Sequence, residues 1–365
     1  MNTLLSKYNI ETRKNRPLDS GKEIITVYKH GNLMQLTFRT IGCRFSMLGS
    51  CSMCNYGKGE QINPIKALLE LEEICKSNEF LNSKMILLGA SGSFLDEYEI
   101  PKELQYDIMR YISKSHIEEV FIETHYKTIS EDILQNIKKI FGEKVVHIEM
   151  GLETTTKNYQ NNILNKEISL YDLSKTIEII HQYTMNVSLN ILLGLPFLTL
   201  KEQINDTKKS IDWAMQNFVD YIVVFPINFQ PYTLFKWWYS NGYAKQTSPW
   251  LLVELLKSLS DEELPHICLA WYGNRSISYD SEQFTIIPFS CTECQDKLIS
   301  FFSDFTTNYD LNYRKKILND FITTSFSCNC KTKFLESINN EKNLEFNIDN
   351  VNKSFKNWSG IRATK

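Results

Sequence analysis

The sequence lacks the features that mark membrane, secreted and nucleic-acid-coating proteins. Its 365 residues contain no apolar run of about eighteen residues, so we expect no membrane span. Residues 1–17 are polar and charged, which predicts no secretory signal and a cytoplasmic location. Lys and Arg total 40 against 43 Asp and Glu, for a net charge of -3. A pervasively basic nucleic-acid binder is therefore not indicated, although a local basic patch is compatible with this charge.

Histidine is scarce, with six residues, whereas nine cysteines are present and most of them are clustered. Cys75 and Cys268 stand alone. The other seven form three tight groups: Cys43, Cys51 and Cys54; Cys291 and Cys294; Cys328 and Cys330. In a chain without an export signal, CxxC and CxC pairs bind metal or perform redox chemistry more often than they form disulfides. The cysteines therefore predict metal sites.

From Leu33 to about residue 260, short apolar runs alternate with longer amphipathic stretches. The runs predict strands at Leu33–Thr40, Lys84–Ala90, Glu119–Thr124, Val145–Gly151, Val187–Leu193 and Tyr221–Phe225. Apolar residues at helical spacing predict helices at Ile65–Lys76, Leu104–Ile112, Ile129–Ile140, Leu170–Tyr183 and Ile204–Phe218. Six successive β/α units predict an α/β fold, either a parallel barrel or an open doubly wound sheet. Both folds place their chemistry at the carboxyl ends of the strands.

The rest of the chain is less regular. Trp237–Pro249 is rich in Trp, Tyr, Gly, Ser and Pro, which predicts a loop, and Leu251–Leu259 predicts one further helix. We expect four parts: an N-terminal extension at 1–32, a barrel at 33–260, a C-terminal cysteine-rich module at 261–335 and a polar tail at 336–365.

The first cysteine group follows the first predicted strand. Seven residues separate Cys43 from Cys51, and two separate Cys51 from Cys54. Three thiolates on one loop can bind three irons of a 4Fe-4S cluster and leave the fourth iron open to a small molecule. The alternative is a zinc loop with a distant fourth ligand, because His30 lies on the far side of the strand and Cys75 lies inside a predicted helix.

Thr40–Arg44 and Gly49–Gly57 together resemble the cluster loop of radical S-adenosylmethionine (SAM) enzymes. The similarity is strongest to the branch that contains the archaeosine-forming lyase and is related to the Elongator catalytic subunit. Four downstream blocks match the same branch: Ser91–Asp96 with Glu99–Pro101, Met150–Thr154, Asn165–Lys166 and Leu193–Thr199. The resemblance extends from about Leu33 to Cys330. Met53 departs from the pattern, since an aromatic residue often precedes the third cysteine.

The resemblance implies a partial (β/α)6 parallel barrel of radical SAM type with a small C-terminal metal-binding module. It also implies that a cluster on Cys43, Cys51 and Cys54 cleaves SAM to a 5′-deoxyadenosyl radical, which abstracts hydrogen from a substrate. Further SAM contacts are expected from Met53 at the adenine, from Gly194 beside it, and from Ser91, Gly92 and Ser93 at the methionine amino group.

Two acidic residues are placed at predicted strand ends. Glu123 ends the third strand and Glu153 follows the fourth, so we expect both at the catalytic end. Each is a candidate catalytic and SAM-binding residue, because a carboxylate can accept hydrogen bonds from a ribose diol or pair with a substrate ammonium. Structural ion pairing is the alternative. His125 and His147 also lie near strand ends and are assigned no role.

The second cysteine set, Cys291, Cys294, Cys328 and Cys330, supplies four thiolates in two close pairs. Such a set suits tetrahedral Zn²⁺ or a fully ligated auxiliary 4Fe-4S cluster, and the ligand type alone does not separate them. We favour zinc, because the intervening segment resembles the helical insert of a treble-clef-like module.

The resemblance implies a lyase that releases an amidine-bearing 7-deazaguanine base by breaking a bond in a lysine adduct on tRNA. Implied partners are an amidotransferase-like protein and an electron donor of flavodoxin or ferredoxin type. Two alternatives stay open: a radical SAM enzyme of small-molecule or nucleoside biosynthesis, and a non-catalytic, zinc-stapled binding protein. The aromatic run Phe235–Tyr239 either stacks bases or belongs to the core.

Overall fold

The chain is described by a computed structural model covering residues 2–18, 21, 23–56, 58–270, 285–341, 346–356 and 358. Gly57 of the cluster-loop motif lies outside the described residues. One sheet contains eight strands in chain order: β1 Ile25–His30, β2 Leu33–Phe38, β3 Met85–Ala90, β4 Glu119–Thr124, β5 Val145–Glu153, β6 Asn186–Leu193, β7 Tyr221–Pro226 and β8 Ile267–Leu269. Strand β1 is antiparallel to β2, and all other neighbours are parallel. The α/β half-barrel confirms the predicted fold class.

Helices separate the strands and cover one face of the sheet. They are α1 Thr3–Arg13, α2 Arg44–Met47, α3 Pro64–Cys75, α4 Asn78–Leu81, α5 Lys102–Ser113, α6 Glu131–Phe141, α7 Lys157–Tyr159, α8 Leu170–Gln182, α9 Leu200–Gln216, α10 Leu234–Ser240, α11 Trp250–Ser258, α12 Thr292–Thr307, α13 Leu311–Thr323, α14 Cys330–Asn340 and α15 Ile348–Lys356. Among the described residues, no helix is both long and apolar enough to cross a membrane.

The core forms where the apolar stripes of the helices meet the sheet. Helix α5 shows the pattern, since Leu104, Ile108 and Ile112 recur at i, i+4 and i+8 and are all buried. They belong to the same buried cluster as alternate strand residues such as Ile86 and Ile122. Removing each such side chain from water stabilises the fold by roughly 1.5–3 kcal/mol. The opposite face of the sheet carries the polar side chains that form the candidate site.

Two strands lie beyond the predicted barrel boundaries. Strand β1 falls within the expected extension at 1–32, and β8 falls within the expected module at 261–335. Both are edge strands of the same sheet. Strand β8 has three residues and β1 is mostly exposed, with Ile25 its one buried residue, so neither produced a clear periodic signal. The four-part division stays a prediction, but the sheet extends from Ile25 to Leu269.

The segment predicted to be a loop begins inside a helix. Helix α10 covers the aromatic run, and Trp238 is completely buried. Its Nε1 donates to Ser354 Oγ of α15 at 3.0 Å, so residues of the predicted polar tail pack back onto the run. The run is therefore a packing element, and the base-stacking interpretation is wrong for Phe235 and Trp238, which are fully buried.

The C-terminal helices are joined to the sheet by Arg314 of α13, which is completely buried. Its Nη1 donates to the carbonyl oxygen of Ile267 at 2.8 Å and also to that of Leu264. The guanidinium lies over the rings of Phe305 and Tyr309. These contacts fix the helices between the two cysteine pairs against β8.

Candidate active site and second metal centre

The first cysteine group lies on the loop after β2, at the carboxyl end of the sheet. Cys43 precedes α2, and Gly42 and Gly49 have φ of 107° and 83°. Cys51 also has a positive φ, 57°, which a non-glycine residue rarely adopts. Contacts from two other parts of the chain hold the loop in this conformation.

Asn165, in the segment after β5, provides the first of these contacts. It has a left-handed φ of 52°, and its carbonyl oxygen accepts from the backbone N–H of Cys51 at 3.3 Å. Its Nδ2 donates to the carbonyl oxygen of Gly49 at 2.7 Å and to Ser6 Oγ at 2.9 Å. Asn165, the first residue of the Asn165–Lys166 motif, thus binds the cysteine loop directly.

Arg13 of α1 provides the second contact. Its guanidinium donates to four carbonyl oxygens of the loop: Ser46 at 2.5 Å, Ser50 at 2.8 Å, Cys51 at 2.5 Å and Cys54 at 3.0 Å. Buried carbonyl groups that lack a donor cost free energy, so this one side chain satisfies a polar surface that the loop could not satisfy alone. The N-terminal segment is therefore part of the site.

The turn after β3 contains Ser91, Gly92 and Ser93. The backbone N–H groups of Gly92 and Ser93 both donate to the carboxylate of Glu99 at 2.9 Å, and Thr40 Oγ1 donates to it at 2.7 Å. Burial raises the pKa of Glu99 to about 7. An ammonium donates hydrogen bonds, so the groups of this turn that can receive it are its carbonyl and hydroxyl oxygens.

Gly92 also lets this turn approach the cysteine loop. A Cβ at this position would lie 2.5 Å from Cys43 Cβ, 2.9 Å from Cys43 Sγ and 2.4 Å from Glu99 Oε1. Real Cβ atoms do not approach other atoms so closely, so only glycine fits. The two loops expected to surround the cofactors are therefore in contact.

Glu153 ends β5 with a φ of 65°, at a shift in register between β5 and β6. It forms a buried ion pair with Lys166, with Nζ 2.7 Å from Oε1, and Lys166 also donates to the carbonyl oxygen of Gly151 at 2.9 Å. The structure thus places Glu153 in the ion pair considered above as the alternative. Its catalytic and SAM-binding role stays a prediction.

Glu123 lies on the concave face of the sheet, beside Glu149 of β5. A Cβ at Gly89 would lie 2.9 Å from Glu123 Oε2, so the carboxyl group extends over that glycine. Glu149 Oε1 accepts from Asn190 Nδ2 of β6 at 3.0 Å. Burial, together with the nearby charges of Glu149 and Glu153, raises the pKa of Glu123 to about 8.

The two remaining predicted SAM contacts lie near the same end. Gly194 follows β6 with a φ of 104°, and a Cβ there would lie 2.9 Å from Thr247 Oγ1. Met53 is half-buried and packs against the cluster that contains Leu195 and Trp238. The proposed contacts of Met53 and Gly194 with SAM stay predictions.

Burial and nearby charges act in opposite directions on the pKa values of the three cysteines. The hydrogen bond from the Cys54 thiol lowers the pKa of Cys51 to about 7, opposed by burial, and the positive charges of Lys166 and Arg13 act in the same direction as that hydrogen bond. Burial raises the pKa of Cys43 to about 12. Three thiols on a constrained loop beside two cations fit an iron–sulfur cluster, whose ligands are thiolates.

The second cysteine set is assembled from two helix starts. Cys291 and Cys294 lie at the beginning of α12, while Cys328 and Cys330 lie at the beginning of α14. The four Sγ atoms all lie within 4.8 Å of one another. Glu293 joins the pairs, because its Oε1 accepts from the backbone N–H groups of Ser327 at 2.8 Å and Cys328 at 3.1 Å. This set could hold a metal ion.

Sequence reasoning had assigned no role to several residues of the first site. They are Arg13, Glu99, Glu149, Asn165, Lys166 and Asn190. Glu99, Asn165 and Lys166 lie inside matched motif blocks, so their motifs were a usable signal. Arg13 and Asn190 had none, because their contacts join segments distant in sequence.

Comparison with known proteins agrees with this geometry. The Radical SAM superfamily profile matches residues 38–209. The chain is 26% identical over 238 residues to archaeosine synthase subunit beta of Methanosarcina acetivorans, covering 64% of this chain and 68% of that protein. It is 26% identical over 274 residues to the protein of the same name from Thermococcus kodakarensis, covering 67% and 82%.

Among solved structures, the chain is similar to coproporphyrinogen III oxidase of Escherichia coli, described as a radical SAM enzyme. The TM-score is 0.42 at 17% identity, covering 63% of this chain and 52% of that one, so the match spans about half of that protein. The profile covers slightly less than half of the chain, and each of these curated relatives matches about two thirds of it. The chain contains a radical SAM domain over residues 38–209, which supports catalysis of the radical SAM type.

Proposed function

We propose that Cys43, Cys51 and Cys54 hold the 4Fe-4S cluster and that the enzyme cleaves SAM reductively there. When bound, the reduced cluster and SAM supply a 5′-deoxyadenosyl radical that abstracts hydrogen from the substrate. The observation that carries the proposal is the convergence of the cysteine loop with the ends of β3 and β5, through Gly92 and Asn165.

The chain's own residues orient the cofactors and shield them. The carboxylate of Glu99 holds the turn after β3, whose oxygen atoms would receive the methionine amino group of SAM. Glu123 lies at the end of β4, where its carboxylate would be available to the substrate. The ammonium of Lys166 compensates the buried charge of Glu153 beside the thiolates.

For the reaction itself, the proposal is a lyase step on a lysine adduct of a 7-deazaguanine in tRNA. Its support is the similarity to two proteins named archaeosine synthase subunit beta, together with the matched motif blocks. A subunit name implies a partner, so an amidotransferase-like protein that attaches lysine is part of the proposal. A flavodoxin or ferredoxin would supply the electron.

A small-molecule or nucleoside substrate is the second candidate. The observations that favour it are the net charge of -3 and the burial of Phe235 and Trp238, because tRNA binding draws on basic surface and exposed stacking side chains. A groove of about 320 Å³ beside the cysteine loop does have basic lining residues, namely Arg13, Lys14, Arg16 and Lys58. An acidic electron-donor protein or a phosphate backbone could dock at this basic groove.

The second cysteine set is proposed to hold zinc. Zinc–sulfur distances near 2.3 Å place the thiolates of a tetrahedral site about 3.8 Å apart. The observed spread within 4.8 Å fits one ion. In a 4Fe-4S cluster each thiolate binds a different iron, which spaces the sulfurs more widely. The ion would tie α12 to α14.

The first experiment measures SAM cleavage. The anaerobically reconstituted, reduced protein is expected to form 5′-deoxyadenosine from SAM, whereas the Cys43→Ala, Cys51→Ala, Cys54→Ala triple variant forms none. Cys75→Ala is the matched control, since this thiol lies on α3 and outside the site. Activity that survives in the triple variant would exclude the proposed cluster site.

The second experiment separates the two substrate classes. The reduced enzyme and SAM are incubated with tRNA carrying the lysine adduct, and separately with the corresponding free nucleoside. Conversion of the tRNA to the amidine-bearing base, detected by mass spectrometry of its nucleosides, is the expected result. Conversion of the nucleoside alone would establish the small-molecule alternative.

A further inference from the structure

Two carboxyl groups, that of half-buried Glu123 and that of buried Glu149, lie side by side on the concave face of the sheet. Glu123 of β4 and Glu149 of β5 are register partners in a parallel ladder. The pair below them, Phe121 and His147, stacks with ring centroids 4.1 Å apart, which shows that both strands direct this set of side chains to the same face. Strands in a sheet are about 4.8 Å apart, so the two carboxyl groups are neighbours.

Like charges placed opposite each other in a sheet are destabilising, and burial increases the cost. Within the described part of the chain, neither Glu123 nor Glu149 forms an ion pair. Lys166, whose positive charge acts on Glu123, is already paired with Glu153. Burial raises the pKa of both carboxyl groups, which is the behaviour of acids that lack a counter-charge.

The amide side chain of Asn190, next to Glu149, also has an unsatisfied hydrogen-bonding atom. Asn190 of β6 is 9% exposed, and its Nδ2 donates to Glu149. That hydrogen bond leaves Oδ1 buried with no partner among the described residues. An amide oxygen held in this way beside Glu149 is a hydrogen-bond acceptor that no described side chain satisfies.

We propose that Glu123, Glu149 and Asn190 bind a positively charged nitrogen group of the substrate, an alkylammonium or an amidinium. All three offer acceptors, and such a group offers several N–H donors and one positive charge. The cation stabilises the ionised form of both carboxyl groups and satisfies the orphaned amide oxygen.

The position of this site gives it a consequence for the reaction. Glu149 lies four residues before Glu153 on β5, and the ion pair of Glu153 with Lys166 leads to Asn165 and the cysteine loop. A cation bound at Glu149 anchors the substrate inside the barrel, with the remainder directed to the cysteine end. The inference rests on the proposed function, because it takes this barrel interior to be the substrate site.

The test measures binding without turnover. Reconstituted holoprotein with SAM is titrated by calorimetry with butylammonium, with acetamidinium and with butanol, at constant ionic strength. Either cation is expected to bind, whereas butanol, a neutral analogue of the same shape, is not. Equal binding of butanol and butylammonium, or binding of neither cation, would overturn the inference.

Variants assign the binding to these residues. Glu149→Gln and Asn190→Leu are each expected to weaken cation binding at least tenfold, and Glu149→Asp is expected to restore part of the loss over Glu149→Gln. Iron content and circular dichroism confirm that each variant is folded and loaded. Glu119→Gln is the control, because this carboxyl group is 39% exposed at the other end of β4 and should leave binding unchanged.

If Glu149→Gln binds the cations as the parent does, the site is elsewhere and the inference fails. The outcome is separate from that of the proposed function. A protein that forms no 5′-deoxyadenosine can still bind butylammonium through Glu149, and one that cleaves SAM can still fail to bind it.

Discussion

Arg13 Nη2 lies 2.5 Å from the carbonyl oxygen of Cys51, the second cysteine of the proposed cluster loop. The same guanidinium also binds the carbonyl oxygens of Ser46, Ser50 and Cys54. Because Arg13 ends an N-terminal helix, that helix determines the shape of a loop more than thirty residues away. The cysteine loop is thus assembled by tertiary contacts as much as by its own sequence.

Replacing Arg13 should therefore impair cluster loading. Arg13→Gln leaves several buried carbonyl oxygens without their donor, and the loss should approach about 3 kcal/mol of loop stability. We expect iron and sulfide retained after desalting to fall several-fold, with a parallel loss of 5′-deoxyadenosine formation. Lys7→Gln, an exposed cation on the same helix, is the control. Full loading in Arg13→Gln would show that the loop is stable without the guanidinium.

The pair formed by Lys166 and Glu153 should show strong coupling in a double-mutant cycle. Both side chains are about nine-tenths buried, so removing one partner leaves an uncompensated charge and should cost roughly 3–5 kcal/mol. Lys166→Met and Glu153→Gln together should cost less than the sum of the single changes by at least ~1 kcal/mol. Urea denaturation gives the four free energies of unfolding.

An exposed ion pair supplies the comparison for that cycle. Lys102 and Asp132 lie 2.9 Å apart, but both are substantially exposed. Lys102→Met should therefore cost under ~1 kcal/mol. Additive effects at Lys166 and Glu153 would contradict a coupled buried pair.

His147 should make the protein less stable in mild acid. Burial lowers its pKa to about 4, below the value of about 6.5 expected in the unfolded chain. The unfolded chain therefore binds more protons between these values, and the free energy of unfolding decreases as the pH falls from 6.5 towards 4. Of the decrease between pH 7 and pH 5, about 2 kcal/mol should come from this residue.

The variant His147→Phe keeps an aromatic ring against Phe121 and removes the titrating group. Urea denaturation at pH 7 and pH 5 should show a smaller decrease for this variant than for the parent, by the amount given above. Identical pH dependence in the two proteins would mean that His147 titrates normally in the folded state.

The second cysteine set should contain one zinc ion per chain, present before any iron reconstitution. Cys328→Ser and Cys330→Ser should lose the ion and lower the stability of the C-terminal helices, because metal binding there is coupled to folding. Metal analysis of the purified protein measures the ion. A reduced iron–sulfur spectrum in the Cys43→Ala, Cys51→Ala, Cys54→Ala variant would instead identify the second site as an auxiliary cluster.

The strands and helices of the half-barrel were well predicted because their signal is local. Strand β4 at Glu119–Thr124 has its predicted bounds, and α8 differs from its prediction by one residue at its end. Apolar periodicity reports which face of an element is buried, and this holds before any partner is known. Strand β8 has too few residues for that signal, and β1 is mostly exposed, which is why these two edge strands were not predicted.

The sequence by itself determined the α/β half-barrel, the cysteine spacings and the position of Glu123 at a strand end. Only the tertiary structure decided which residues complete the site. Asn165 donates to Gly49, 116 residues away in sequence, and Arg13 donates to carbonyl oxygens of the cysteine loop. The register of β4 against β5 places Glu123 beside Glu149. Hydrogen bonds and ion pairs of this kind depend on how distant segments pack. The periodicity of apolar residues along the chain does not predict that packing.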